Sequence, residues 1–185
     1  MIDDLLNEAS ERMLKSVEST RLEFGSVRTG RASPALLDRV TVDYYGTATP
    51  LTQLASVSAP EARLLTVEPY DPSALGDIER AITNADLGIT PGNDGQLIRI
   101  TIPELTEERR KEMVKQARGI AEEGRIAIRN IRRDVMHELR QLKEAGDVGS
   151  DDEHRGEESL QKLTDSSIAK LDENLTRKEA DILEV

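Results

Sequence analysis

Apolar positions recur along this chain with two different periods, and the change of period divides it. Ile2, Leu6, Ala9, Met13, Val17, Thr20, Phe24 and Val27 follow one another in steps of four and three, the spacing of a single helix face. They predict a helix from about Asp4 to Arg28, about 37 Å long. A second run with the same period, Met113, Ala117, Ile120, Gly124, Ile128, Ile131, Val135, Leu139 and Leu142, starts after Pro103-Glu104-Leu105. Thr106 is placed to cap it, Glu107 and Glu108 suit the positive first turn, and no proline intervenes before about Ala145, so a helix of about 60 Å is predicted. The third begins at Ser150-Asp151-Asp152-Glu153, a capping-box pattern, and repeats apolar residues at Leu160, Leu163, Ile168, Leu171, Leu175, Ile182 and Val185. Three near-heptad helices predict a bundle. Gly119 and Gly124 interrupt the second helix without breaking its pattern, and Gly124 is expected to admit a neighbouring helix at close range.

Between the first two helices the period falls to two. Val40–Tyr45, Leu64–Glu68 and Leu97–Ile102 read as strands bounded by Gly and Pro, and Pro72–Ala85, with Leu75, Ile78 and Ile82 on one side, reads as a helix. Thr90–Gly95 reads as a turn. An α+β fold follows, with a three-helix bundle formed by residues 1–30 and 105–185 and a small α/β domain, residues 31–104, inserted into it. The chain must cross between the two twice, so Thr29, Gly30 and Arg31 on one side and Pro103, Glu104, Leu105 and Thr106 on the other form a two-strand hinge. Prolines 34 and 103 stiffen the flanks, and Gly30 lacks the restriction that a Cβ imposes, which makes it the expected pivot.

Composition narrows the chemistry. Of 185 residues only one is Phe and three are Tyr, with no Trp, so the core rests on aliphatic seams rather than a large ligand pocket. The chain has no Cys, which excludes disulfides and thiolate chemistry and fits a reducing, cytoplasmic compartment. The first residues show neither a basic start nor an apolar run, and no stretch reaches the ~20 apolar residues of a membrane span. Neither His137 nor His154 has a recognisable catalytic setting, and the glycines at 88, 92 and 95 precede a strand rather than open a helix, which argues against a nucleotide loop. The acids Asp147, Asp151, Asp152 and Glu153 lack calcium-loop spacing and already suit a helix start, so no metal and no cofactor is expected. Tyr44 and Tyr45 adjoin a turn at Gly46, and strand alternation puts at least one of them in the core.

Charge then singles out one helix. The net charge is -11, yet residues 105–146 carry 11 basic and 8 acidic side chains, against 5 and 12 in residues 147–185. Gly124–Arg133 holds four arginines and no carboxylate. At 100° per residue, Arg118, Arg125, Arg129, Arg132 and Arg140 fall within about 80° of one another, apart from the apolar face. Planar guanidinium forks suit phosphate, and within its own helix Arg125 has only Glu122 nearby. A polyanion-gripping ribbon is expected. The alternative from another class is a helical adaptor or chaperone whose seam meets protein partners, with salt-tolerant binding and no need of Arg132. An RNA-processing enzyme lacks its catalytic groups.

The segments Arg28-Thr29-Gly30-Arg31-Ala32-Ser33-Pro34-Ala35-Leu36-Leu37-Asp38, Tyr44-Tyr45-Gly46, Pro50-Leu51-Thr52-Gln53-Leu54-Ala55, Leu105–Glu112, Ile128-Arg129-Asn130-Ile131-Arg132-Arg133-Asp134 and Gln161-Lys162-Leu163-Thr164-Asp165, taken in order, closely resemble the bacterial ribosome recycling factor family. Val135-Met136-His137 departs from it mildly. The resemblance spans essentially the whole chain. It implies an L-shaped, monomeric, non-enzymatic factor that binds the ribosome after termination. With elongation factor G and the GTP hydrolysis of that partner, such a factor splits the subunits and releases mRNA and deacylated tRNA. It also implies that Arg129, Arg132 and Arg133 contact large-subunit ribosomal RNA, with Arg28 and Arg31 as further contacts. Arg125 joins them from the ribbon.

Overall fold

The computed structural model describes residues 1–184; Val185, expected in the seam of the third helix, lies outside the described residues. In chain order the elements are α1 (Ile2–Phe24), β1 (Thr41–Tyr44), β2 (Thr47–Pro50), α2 (Leu51–Leu54), β3 (Ala55–Glu61) and β4 (Leu64–Pro69). They continue with α3 (Leu75–Asn84), β5 (Pro91–Asn93), β6 (Ile98–Thr101), α4 (Glu107–Glu144) and α5 (Ser150–Leu183). Two compact units result, one of Met1–Thr29 with the chain from Glu107 onward, the other of Gly30–Thr106.

The first unit is a bundle of α1, α4 and α5. α1 buries Ala9, Met13, Val17, Thr20 and Phe24, the central members of the predicted stripe. It ends at Phe24, four residues before the expected Arg28, because Gly25 and Ser26 close a turn in which the Ser26 hydroxyl donates to the Glu23 carbonyl at 2.6 Å. Val27 is nevertheless buried. α4 buries Met113, Ala117, Ala121, Gly124, Ile128, Ile131, Val135 and Leu139; Ile120 and Leu142, expected inside, are only half-buried. At Gly124 both α1 and α5 come up against α4. A Cβ there would run into the Thr20 hydroxyl and lie 2.7 Å from Leu171 Cδ1, so the expected close approach is present and involves both neighbours.

α5 departs further from its pattern. Leu160, Leu171 and Ile182 are buried, but so are Gly156, Thr164 and Ser167, whereas Leu163, Ile168 and Leu175 are half-buried. Small residues line this part of the seam, where Thr164 returns its hydroxyl to the Leu160 carbonyl at 2.9 Å and needs no other partner. Full burial of each leucine contributes about 1.5–3 kcal/mol. The capping box does not form. The N-cap is Gly149 with no side-chain cap bond, and Glu153, 8% exposed, pairs with Lys143 of α4 at 2.5 Å. A partner that neutralises a buried carboxylate outweighs a cap bond.

The second unit has a four-stranded antiparallel sheet, order β3-β4-β6-β5, and a separate β1–β2 hairpin. Alternation aims Leu65 and Val67 of β4 and Ile98 and Ile100 of β6 into one core, where they meet Ile78 and Ile82 of α3 with Val42, Leu37 and Leu51. Tyr45 (φ 50°) and Gly46 (φ 79°) form the two-residue turn of the hairpin, the left-handed pair such turns require. Tyr44 is half-buried and donates to Asp71 at 2.9 Å, while Tyr45 is 81% exposed. The turn expected over Thr90–Gly95 is partly strand, since Pro91–Asn93 pairs with β6 at the sheet edge, where proline is tolerated.

Candidate nucleic-acid interface

The arginines of α4 lie in one line but not in one state. α4 and α5 run antiparallel, and their facing edges are stitched by charge. Arg118 Nε donates to Glu179 at 2.6 Å. One heptad on, Arg125 binds Asp172 at 2.6 Å and Glu122 at 3.0 Å. Its side chain is only 22% exposed. Burial pulls the pKa of Arg125 down, but the hydrogen bonds that it donates to Asp172 and Glu122 outweigh it, raise the pKa and hold the guanidinium charged. Within α4 Glu122 is the carboxylate that Arg125 meets, as expected, and a second comes from the neighbouring helix. That carboxylate is Asp172 of α5, and with Glu179 and Glu153 it is engaged in the bundle itself.

The next turns of α4 differ. Among the described residues Arg129 reaches only Glu122, whose Oε1 lies at 3.4 Å while its Oε2 accepts from Arg125. Arg132 meets no carboxylate among the described residues; its Nη1 donates to the neutral Gln161 at 2.8 Å. Its Nε is buried without a partner among the described residues. Arg133 is exposed and makes no ion pair or hydrogen bond among the described residues. With Arg140 it lines a surface cleft of about 730 Å³ that also includes Arg132, Asp134 and Glu138; Asp134 is already paired with Arg12 of α1 at 3.1 Å. Arg129, Arg132 and Arg133 thus offer cationic forks on a helix fixed by its other faces, the arrangement that suits phosphate oxygens.

Arg28 and Arg31 are exposed, on either side of the first crossing between units. Within the second unit that crossing is well tied. Gly30 has φ +74°, and a Cβ there would stand 2.9 Å from Leu105 Cγ. Ala32 N donates to Ala62 O at 2.7 Å, Ile102 N to Arg63 O at 2.8 Å, and Arg63 pairs with Glu104 at 3.1 Å. Both connecting segments are therefore fastened to the β3–β4 turn, and the positive φ of Gly30 is a conformation proline cannot take.

Neither histidine builds a catalytic group. His137 is bonded to Gln141 at 3.1 Å and His154 lies 3.4 Å from Glu158, both exposed. No group of three or more His, Asp or Glu is placed to hold a metal among the described residues, and no described helix is long and apolar enough to cross a membrane.

Comparison with known proteins agrees in one direction. The profile of the family described as "Ribosome recycling factor" matches residues 20–183. The chain is 53% identical over 180 residues to the ribosome-recycling factor of Rubrobacter xylanophilus, covering 97% of each chain. It is 54% identical over 185 residues to that of Saccharopolyspora erythraea, covering 100% of each. Among solved structures it is similar to a solution structure of ribosome recycling factor, with a TM-score of 0.76, 38% identity and coverage of 100% of this chain and 98% of that one. A second resembles it with a TM-score of 0.65, 45% identity and 99% coverage of each: T. thermophilus ribosome recycling factor which, with E. coli elongation factor G, is bound to the E. coli post-termination complex.

Proposed function

The chain belongs to the ribosome recycling factor family, and from that premise we propose that it binds the post-termination ribosome in the cytoplasm as a monomer. With elongation factor G and the GTP hydrolysis of that partner, it splits the subunits so that mRNA and deacylated tRNA leave. It is not an enzyme; the hydrolysis belongs to the GTPase. The observation that carries the reading is identity near one half over whole chains on both sides of the comparison.

The local physics suits the task. The bundle is a stiff lever, closed at Gly124 by contact among all three helices and stitched along the α4–α5 edge. Arg129, Arg132 and Arg133 anchor it to phosphates of large-subunit RNA, with Arg28 and Arg31 as further contacts. Arg125, held by two carboxylates, serves the anchor by fixing the helix beneath it. Residues 29–31 and 103–106 form the hinge, and the smaller unit is the handle on which the GTPase pushes. Anchoring through phosphates makes affinity fall steeply with salt, since each phosphate engaged releases counterions. Mixing the protein with post-termination ribosomes, elongation factor G and GTP tests this. Light scattering should fall as subunits part, and should stay constant when GTP or the GTPase is left out. Constant scattering in the complete mixture would overturn the reading.

A further inference from the structure

Heptad register joins three arginines of α4 to three acids of α5. Arg118, Arg125 and Arg132 stand seven apart, and so, in the opposite chain direction, do Glu179, Asp172 and Asp165. The first two rungs are closed by direct charge-assisted bonds of 2.6 Å. The third is not. Gln161, one turn from Asp165, stands between the partners: its Nε2 donates to Asp165 Oδ1 at 2.8 Å, and its Oε1 accepts from Arg132 Nη1 at 2.8 Å. These two bonds fix which way the amide faces. Its donor end is claimed by a carboxylate, so its oxygen turns to the arginine.

The consequence for Arg132 is specific. Nη1 is directed by the amide, Nε is buried without an acceptor, and Nη2 makes no bond among the described residues and is not buried. A buried donor left without a partner disfavours this pose, so the pose is imposed by its surroundings rather than chosen by the guanidinium. A carboxylate at the same place would hold the side chain more tightly but would cancel its charge, as happens at Arg118 and Arg125. A neutral acceptor separates those two effects.

We propose that Gln161 is a positioning residue for the ribosome contact: it interrupts the third rung of the arginine–acid ladder, aims the Arg132 guanidinium, and leaves its charge uncompensated for an RNA phosphate. The proposal rests on the reading of Arg132 as an RNA contact. It predicts that ladder and anchor are distinguished by one uncharged side chain. Gln161→Glu, nearly isosteric, would close the rung and turn Arg132 from an anchor into another stitch. Gln161→Met, of similar volume, would keep the charge of Arg132 and lose its aim.

Binding of the full-length protein to 70S ribosomes, titrated across a series of KCl concentrations at fixed Mg²⁺, separates the possibilities, with thermal melting alongside. Gln161→Glu should weaken binding about fivefold to tenfold and lower the log–log salt slope by about 0.7–0.9, the contribution of one phosphate, with the melting temperature kept. Gln161→Met should weaken binding less and leave the slope unchanged. Arg132→Ala should match Gln161→Glu in slope. Wild-type affinity and slope in Gln161→Glu, while Arg132→Ala is weakened, would overturn the positioning role alone. Wild-type affinity in Arg132→Ala would remove Arg132 from the interface, and the proposal with it, while leaving ribosome binding by the chain intact.

Discussion

Two stretches of α4 use the same residue for different ends. Around Arg118 and Arg125 each guanidinium is matched by a carboxylate of α5, and the arginine is part of the bundle. From Arg129 to Arg133 carboxylates are distant, shared or replaced by an amide, and the charge is left outward. A helix bearing an arginine stripe is thus no measure of an RNA-binding surface. What differs is whether an acid of the neighbouring helix reaches the guanidinium: Glu179 and Asp172 do, whereas Asp165 is met by Gln161 instead.

The largest effect should come from the packing that keeps these stretches on one rigid helix. Gly124→Ala places a methyl group against Thr20 and Leu171 and should lower stability by about 1–3 kcal/mol, read from the midpoint of urea unfolding; an unchanged midpoint would mean that the three helices separate there at little cost. Next, Arg125→Ala strips Asp172 and Glu122 of their shared partner. Its cost to stability should be about 1–2 kcal/mol, and any loss of ribosome affinity should follow the fraction unfolded. Arg133→Ala reverses the pattern. Stability should stay within about 0.5 kcal/mol, whereas ribosome binding weakens by about 1–1.5 kcal/mol at low salt, and the loss shrinks as salt rises. Equal losses of stability in the last two variants would erase the contrast between the stretches.

The smallest effect lies outside α4, and it checks that carboxylate pairing in the other unit is local. Asp94 accepts from the backbone of Leu97 and Gln96 and from Arg99, which together hold its pKa down to about 2. A depressed carboxylate pKa stabilises the fold above the unfolded value near 3.8 and ceases to do so as pH falls through about 2. Wild type should therefore lose a small part of its melting temperature between those pH values, and Asp94→Asn should lose none of that part. Identical acid profiles would show that the turn before β6 draws nothing from the charge.

The bundle was legible because its helices are long and their apolar residues large: Met13, Ile128 and Leu139 sit where a 3.6-residue period puts them. Thr164, Ser167 and Gly156 of α5 were missed because a close helix contact selects small size, which hydropathy does not report. In the other unit β4 and β6 stood out by alternation, whereas β3, with the sequence Ala-Ser-Val-Ser-Ala-Pro-Glu, and β5, with Pro-Gly-Asn, form strands through pairing partners alone. The same limit governed the interface. Arginine positions could be read off one helix, but the states of Arg118, Arg125 and Arg132 depended on α5 residues between 29 and 61 positions away. The heptad spacing of Glu179, Asp172 and Asp165 was the signal that could have revealed the ladder.

If the unpaired arginines, not the paired ones, anchor a lever that splits ribosomes, their loss should slow splitting while loss of a paired one should not. The decisive measurement follows subunit separation in post-termination ribosomes with elongation factor G and GTP, comparing wild type with Arg132→Ala/Arg133→Ala and Arg118→Ala. Wild type and Arg118→Ala should split at similar rates, while the double variant should be slower at limiting protein and recover as its concentration is raised. Splitting by the double variant at the wild-type rate under limiting protein, or a loss just as large in a folded Arg118→Ala, would contradict that anchoring.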